Sequence, residues 1–314
     1  MKILVTGGAG FIGSNVVDRL ILEGYNVVVV DNLSSGKREN VDSKAKFYEA
    51  DIRDSRISEI FETEKPEIVI HNAAQISVRD SVKDPIYDAE VNIIGSLNIL
   101  ELCKRAGVKK VIFASSGGTV YGEQKIFPAS EDHPLSPISP YGVAKLAVEK
   151  YLYYYYFNYG LKYVSLRYAN VYGPRQDPHG EAGVVAIFCS RLVEGKNPVI
   201  NGDGKQTRDY VYVSDVVEAN INAIECDFVG ELNIGTGKET DVVELFYMLK
   251  EISGKNDVEE VHGPPMEGEQ RRSCLDYEKA KLVLGWEPIV KLEEGLKLTY
   301  HWFKEIFKGG KYNK

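Results

Sequence analysis

Apolar and polar positions along the first half of the chain follow two rhythms. Short runs rich in β-branched residues, Ile3 to Thr6, Val27 to Asp31, Lys46 to Asp51, Ile68 to Asn72, Val111 to Ser116 and Tyr163 to Tyr168, are candidate strands. Between them the spacing becomes helical. Ile12, Val16, Val17, Leu20 and Ile21 share one helix face before Gly24, and Val91 to Ala106 repeats the pattern before Gly107. Glycine just past a helix is a C-cap signal, since it takes the left-handed conformation without steric cost. Strand and helix in alternation predict a parallel sheet covered by helices on both faces.

Past about residue 168 the alternation loosens into stretches such as Tyr172-Gly173-Pro174-Arg175 and Asn201-Gly202-Asp203-Gly204, which predict pocket-building loops. Val213 to Ile224, followed by Leu232-Asn233-Ile234-Gly235, predicts a helix and strand that return to the first sheet. The expected organisation is a first domain over 1–168, rejoined by about 209–235, and a smaller domain formed mainly by 169–314. No single cut separates them.

A chain of 314 residues, 44% hydrophobic, is long enough to bury the core of two interlocked domains. Its net charge of -8 argues against broad attraction to nucleic acid or anionic lipid, so any phosphate it takes must be gripped locally. Cys103, Cys189, Cys226 and Cys274 are far apart and form no CxxC pair, and the five histidines show no ligand spacing. Neither a metal nor a disulfide framework is expected. The chain reaches its glycine-rich turn at once, which leaves no room for a signal peptide, and no apolar stretch is long enough to span a bilayer. A cytoplasmic protein without a membrane partner is expected.

Thr6-Gly7-Gly8-Ala9-Gly10-Phe11-Ile12-Gly13 stands between the first strand and the first helix, where a dinucleotide fingerprint must stand. Glycines there let the backbone approach a pyrophosphate, and the helix N-terminus offers free N–H groups with partial positive charge. Such clusters also mark plain turns. The strand before, the helix after and an acidic residue ending the second strand select the nucleotide reading. That residue, Asp31, follows Gly13 by 18 positions, a spacing that suits a carboxylate bonded to the adenosine ribose. It favours NAD, because a carboxylate would repel the extra phosphate of NADP; Lys37 and Arg38 are the counter-argument. Asp51-Ile52 is a candidate adenine neighbour, with a helix N-cap as the plain alternative. The predicted fold is thus α/β, a doubly wound parallel sheet of the Rossmann kind.

A Tyr-x-x-x-Lys pair places a phenol and an ammonium on one helix face, which suits tyrosine to act as a base in hydride chemistry on a hydroxyl. With 20 tyrosines the pattern is cheap: Tyr121/Lys125, Tyr141/Lys145, Tyr277/Lys281 and Tyr300/Lys304 all satisfy it. Context selects Tyr141 and Lys145. Ser139-Pro140 is a helix-start signal, and the strand before it ends at Ser115-Ser116, at the sheet edge where such folds bind ligands. A free tyrosine titrates near 10, so work near neutrality needs a lowering by about 3, roughly 4 kcal/mol. Lys145 and a positive nicotinamide ring would supply it. Ser116 would share the substrate proton, with a polar strand end as the plain alternative.

These motifs resemble the extended short-chain dehydrogenase/reductase family and, within it, its UDP-glucose 4-epimerase branch. The resemblance runs from the fingerprint through Asp31-Asn32, His71-Asn72-Ala73-Ala74, Tyr121-Gly122, Leu166 to Pro174 and Arg208-Asp209-Tyr210 to Leu284-Gly285-Trp286. It implies that Gly7, Gly10, Phe11, Ile12, Gly13, Asp31, Asn32, Asp51, Ile52, Ala73, Ala74, Asn92, Tyr141 and Lys145 hold NAD. It also implies that Ser116, Tyr141, Asn170, Val185, Arg208, Tyr210, Arg271 and Ser273 hold a UDP-hexose in a C-terminal substrate-binding domain. The implied chemistry is 4-epimerisation through a transient 4-keto sugar: Tyr141 takes the 4-hydroxyl proton, NAD takes and returns a hydride, and no net redox occurs. A homodimer is implied, built from helices near 92–106 and 141–159, with the aromatic run Tyr151 to Tyr159 at its interface.

Three departures from the family pattern stand out. Dehydratase relatives carry Asp-Glu where this chain has Gly117-Gly118, which argues against dehydration, and the extra residue in this turn leaves Ser116 or Thr119 to reach the substrate. Met266 stands where relatives place a diphosphate-binding arginine, so Arg271 or Arg272 would substitute. Ser273 aligns with the gate beside sugar C2, and so small a residue would admit N-acetylhexosamines. The rival readings are a UDP-glucuronate 4-epimerase or decarboxylase and a non-catalytic NAD-sensing regulator. Arg208-Asp209 has a further plain reading as a structural ion pair.

Overall fold

The computed structural model describes residues 1–179, 183–265 and 270–309. The first half runs β1 (Lys2–Thr6), α1 (Phe11–Leu22), β2 (Asn26–Asp31), β3 (Lys46–Glu49), α2 (Arg56–Glu64), β4 (Ile68–His71), α3 (Val78–Lys83), α4 (Pro85–Ala89), α5 (Gly95–Ala106), β5 (Lys110–Ser116), α6 (Gly117–Val120), α7 (Pro140–Tyr159) and β6 (Lys162–Tyr168). The second half runs β7 (Asn170–Tyr172), α8 (Val184–Val193), β8 (Val199–Asn201), β9 (Thr207–Arg208), β10 (Tyr210–Tyr212), α9 (Val213–Glu225), β11 (Gly230–Ile234), β12 (Thr240–Asp241), α10 (Val242–Ser253), β13 (Val261–Gly263), α11 (Glu278–Leu284) and α12 (Leu292–Lys308).

All six predicted strands form, and they join a seven-stranded sheet in the order β11-β6-β5-β4-β1-β2-β3. Every pairing in it is parallel. The seventh strand is the predicted returning one: β11 lies beside β6, with Gly230 opposite Val164 and Ile234 opposite Tyr168. Alternate residues feed two cores. Ile3, Val5, Val29, Ile70 and Ile112 pack with Val16 and Leu20 of α1 and Val216 and Ala223 of α9. Leu4, Val28, Val69, Val111 and Phe113 pack on the other face with Phe61, Ile99, Val148 and Leu152 of α2, α5 and α7. With both faces covered, each strand must be apolar throughout, and this is why the strands read as continuous apolar runs. The strand order reverses between β1 and β4, so their connections leave in opposite directions and open a crevice at the carboxyl edge.

The predicted helix over 91–106 differs at its start. Glu90–Ile94 is a wide π turn that joins α4 to α5. The Asn92 side chain there is turned inward, donating to the Gln75 carbonyl at 2.9 Å and to Asp88 Oδ1 at 2.9 Å. Single π turns of this kind place a side chain where a regular helix would not.

The first core continues into the second half through Tyr172, Val185, Phe188, Phe246 and Phe303. There α8, α10 and α12 pack together, with the Phe188 and Phe246 rings edge to face at 6.2 Å. Among the described residues, no helix is long and apolar enough to cross a membrane.

Candidate active site

The glycine turn is shaped by contacts that only glycine permits. Gly7 has φ +67°, and a Cβ on it would lie 2.6 Å from the Ala73 nitrogen. A Cβ on Gly13 would lie 2.1 Å from the Gly7 carbonyl oxygen, so α1 is pressed against the turn. Gly10 caps α1 without a side-chain hydrogen bond, which leaves the helix entrance to an anion. Asp31 is buried at the end of β2; its Oδ2 accepts the Ala9 N–H at 2.9 Å and its Oδ1 the Leu33 N–H at 2.8 Å. This carboxylate therefore holds the fingerprint loop as well as lining the crevice. Arg38, one of the two cations that could meet an NADP phosphate, lies over the Phe47 ring at 4.5 Å and donates to the Val41 carbonyl.

Asn32 bonds Asp51 at 2.9 Å, and the Arg53 guanidinium holds the Asp51 carboxyl well below the usual carboxylate range. Ile52 is buried, and its side chain would collide with a Cβ on Gly95 at 2.6 Å. Ala73 and Ala74 follow β4, and the Ala73 backbone packs directly against Gly7. Beneath them Thr6 Oγ1 meets His71 Nδ1 at 2.6 Å, and His71 Nε2 meets Ser96 Oγ at 2.9 Å. Burial, with the Lys145 charge second, pulls His71 down to about 3, so this imidazole stays neutral.

Tyr141 sits in the first turn of α7, which starts as predicted: Ser139 is the N-cap, its Oγ accepting the Gly142 N–H, and Pro140 occupies the first position. Its own N–H donates to Ser81 Oγ at 3.2 Å, which ties α7 to α3. Lys145 lies one turn on, its ammonium 5.5 Å from the Tyr141 ring centroid and 4.8 Å from that of Phe113, donating to the Ala114 carbonyl at 2.8 Å. Burial lowers Lys145 to about 8 against the opposing pull of Asp88 and Glu149. Tyr141 is pushed up, first by burial and then by Asp88, the reverse of the lowering that base catalysis requires. Ser115 is spent inside, donating to Glu149 at 2.7 Å, whereas Ser116 ends β5 over the Gly117-Gly118 turn. Thr119 packs against Gly142 at the same turn. Tyr121, the rival tyrosine, is fully buried between Arg167 at 3.0 Å and Asn233 at 2.7 Å, with burial pushing it up to about 12.

The second half brings its candidates together by strand pairing. Asn170 faces Tyr210 across the β7–β10 pair, and Thr207, beside Arg208, bridges to Arg272. Val185 is buried in α8. Asp209 does not pair with Arg208. Its carboxylate accepts from the Thr236 N–H and hydroxyl and from the Gly237 and Leu275 N–H groups, so the alternative reading of Arg208-Asp209 as a structural ion pair does not hold. Arg271 grips Asp203 through both nitrogens at 2.8 Å, beside a cavity of about 510 Å³ lined also by Asn201, Gln206 and Pro265. Arg272 grips Glu239 and lies 3.7 Å over the Phe127 ring. Ser273 is buried rather than open at the surface. Met266 lies outside the described residues.

The two halves meet at the Gly117-Gly118 turn. A Cβ on Gly117 would lie 2.4 Å from a Leu275 methyl at the end of its side chain, whereas one on Gly118 would meet only Ser116 Oγ at 3.9 Å, so the turn is tight at its first glycine and open at its second.

The profile of the NAD dependent epimerase/dehydratase family matches residues 3–235, ending just past β11. The chain belongs to that family. A UDP-glucose 4-epimerase from Mycolicibacterium smegmatis is 49% identical over 97% of this chain and 99% of its own. The crystal structure of a UDP-glucose 4-epimerase from Thermotoga maritima, with UDP-glucose, superimposes with a TM-score of 0.96 at 57% identity, covering 98% of this chain and 100% of that one. That of the Thermus thermophilus enzyme, in complex with NAD, gives a TM-score of 0.92 at 46% identity, covering 97% and 99%.

The residues present fit the dinucleotide that gives this epimerase/dehydratase family its name. Besides the Gly7 and Gly13 cradle and the open α1 entrance, both polar side-chain atoms of Asn72 are buried without a partner among the described residues, at the β4 end beside Gly7. Unsatisfied buried amide atoms are costly, and a bound ligand would satisfy them. Sequence reasoning placed Asn72 in the His71-Asn72-Ala73-Ala74 motif but gave it no role. It also passed over Asp88, which acts on both Tyr141 and Lys145. Its one sequence signal was the i, i+4 spacing to Asn92.

Proposed function

We propose that this chain is an NAD-dependent 4-epimerase of UDP-hexoses. The observation that carries this reading is the Tyr141–Lys145 pair at the sheet's carboxyl edge, beside a Gly117-Gly118 turn that carries neither of the acids a dehydratase needs. Tyr141 takes the proton of the sugar 4-hydroxyl and later returns it. Lys145 supplies the positive charge that favours the phenolate, and Ser116 orients the hydroxyl. Gly7, Gly10, Phe11, Ile12, Gly13, Asp31, Asn32, Asp51, Ile52, Ala73, Ala74 and Asn92 would hold NAD, which when bound accepts a hydride from C4 and gives it back. Proton and hydride both leave and both return, so the reaction balances without net redox. Asn170, Val185, Arg208 and Tyr210 would hold the UDP part, with Arg208 pairing to the diphosphate. Arg271 would join them once it gives up its exposed pair with Asp203, an exchange that costs little.

Residues 1–168 with about 209–235 are read as the cofactor domain and the rest of 169–314 as mainly the substrate domain. Ser273 leaves room for an N-acetyl group at C2, so UDP-N-acetylhexosamines are expected substrates as well. The four free thiols suit a reducing compartment, and a cytoplasmic location is the reading we adopt. The exposed Tyr151, Tyr154 and Phe157 of α7 support a homodimer.

The test is to incubate purified protein, without added NAD, with UDP-galactose, UDP-glucose, UDP-N-acetylglucosamine and UDP-glucuronate and follow products by NMR. Interconversion at C4 of the first two is expected. Turnover of UDP-glucuronate alone, or of none even with NAD restored, would overturn the proposal.

A further inference from the structure

Asp88 is a carboxylate in an unusual place. It lies on the short α4, is only 1% exposed, and α4 packs on α7, the helix that carries Tyr141 and Lys145. Its Oδ1 accepts from Gln75 Nε2 and Asn92 Nδ2, both at 2.9 Å, while Oδ2 is buried without a hydrogen-bond partner among the described residues. Two neutral amides and no adjacent cation are poor compensation for a buried charge. The cation that acts on it is Lys145.

Other groups around the pair are already committed. Glu149, one turn past Lys145 in α7, is spent on Arg167 of β6, with Nη2 to Oε2 at 2.7 Å. His71 of β4 is neutral. Arg79, Asp80 and Lys83 of α3 are exposed, Glu101 of α5 is taken by Lys104 and Tyr155, and Lys110 of β5 donates to the last carbonyls of α9. Among the described residues, Asp88 is the one remaining anion that acts on Tyr141, and it acts on Lys145 as well.

We propose that Asp88 is a positioning residue for proton transfer. Its carboxylate is the buried anion that counters the Lys145 ammonium, itself held by the Ala114 carbonyl, and it sets the pH at which Tyr141 passes between phenol and phenolate. An epimerase needs both forms in each turnover, because the proton taken from one face of the sugar must be returned on the other. A tyrosine held too firmly as phenolate would not give it back. Asp88 opposes the two positive neighbours, Lys145 and the oxidised nicotinamide ring, and so keeps the phenol accessible.

The inference rests on the epimerase reading for its purpose, but its test does not require turnover. The phenolate titration of Tyr141 is read in the NAD-bound protein as the ultraviolet difference between each protein and its Tyr141→Phe counterpart. Asp88→Asn keeps an oxygen for Gln75 and Asn92 and removes the charge. Loss of an anion favours phenolate and disfavours ammonium, so the Tyr141 midpoint falls by about one pH unit. Both limbs of the kcat profile move to lower pH with it, while KM changes little. Gln75→Met, which removes one donor and leaves the carboxyl harder to ionise, gives a smaller move in the same direction and serves if the first variant does not fold. Midpoints that coincide with the parent protein's, even with lower kcat or Tm, would overturn the proposal. A shifted midpoint in a protein that epimerises no UDP-sugar would uphold Asp88 and sink the epimerase reading instead.

Discussion

Burial and the Asp88 carboxylate both favour the neutral phenol of Tyr141, so its activity as a base depends on positive charge held close by. Among the described residues, Lys145, its ammonium 5.5 Å from the Tyr141 ring centroid, is the group we assign to supply such charge, and burial has already lowered it to about 8. The sign follows directly. Below about pH 8 the ammonium is present and supports the phenolate; above it the charge is lost, and Tyr141 becomes harder to ionise where the alkaline solution would otherwise help. The kcat profile is therefore expected to fall as pH rises through about 8, and a profile flat to pH 10 would contradict this assignment. The start of α7 was legible in the sequence because a backbone signal marked it: Ser139-Pro140 singled out Tyr141 from four equivalent motifs as the candidate base, and the structure begins α7 there. Asp88 was not legible, because an acidic residue in Tyr87-Asp88-Ala89-Glu90 reads as a solvated helix face until α7 is seen to cover it.

Among the elements, α1 and α7 carry most of the proposed site, and each makes a prediction. Gly13→Ala puts a methyl 2.1 Å from the Gly7 carbonyl and forces α1 away from the turn. Bound NAD should weaken at least tenfold, about 1.4 kcal/mol, measured by calorimetry; unchanged affinity would remove the turn from the cofactor site. In α7, Glu149 receives Arg167 through both carboxylate oxygens and also accepts from Ser115 and Ser165, so one buried carboxylate fastens the catalytic helix to β5 and β6. Glu149→Ala strands the Arg167 charge and should cost about 3–5 kcal/mol in urea unfolding, whereas a loss under 1 would show the pair to be dispensable. Strand and helix positions were readable because the apolar runs and glycine caps are local. The π turn at Glu90–Ile94 and the Glu149–Arg167 pair were not, since both depend on partners distant in sequence.

At the scale of the whole molecule, the return of β11 to the sheet explains why no single cut divides the chain: β6 needs a partner on its outer edge, and the chain comes back to supply it. The same sheet leaves one helical face uncovered. Tyr151, Tyr153, Tyr154, Tyr156, Phe157 and Tyr159 of α7 are all at least 39% exposed, a concentration of aromatic surface that a monomer would rarely present to water. Light scattering should therefore give twice 35.1 kDa, and a monomer would contradict the proposed dimer. The central claim is that the hydrogen removed from sugar C4 returns to the same carbon within one site. UDP-galactose carrying deuterium at C4, incubated with the purified protein in ordinary water, tests this directly. The account predicts UDP-glucose that keeps the deuterium at C4. UDP-glucose with protium at C4 drawn from solvent, or galactose configuration left unchanged, would contradict it.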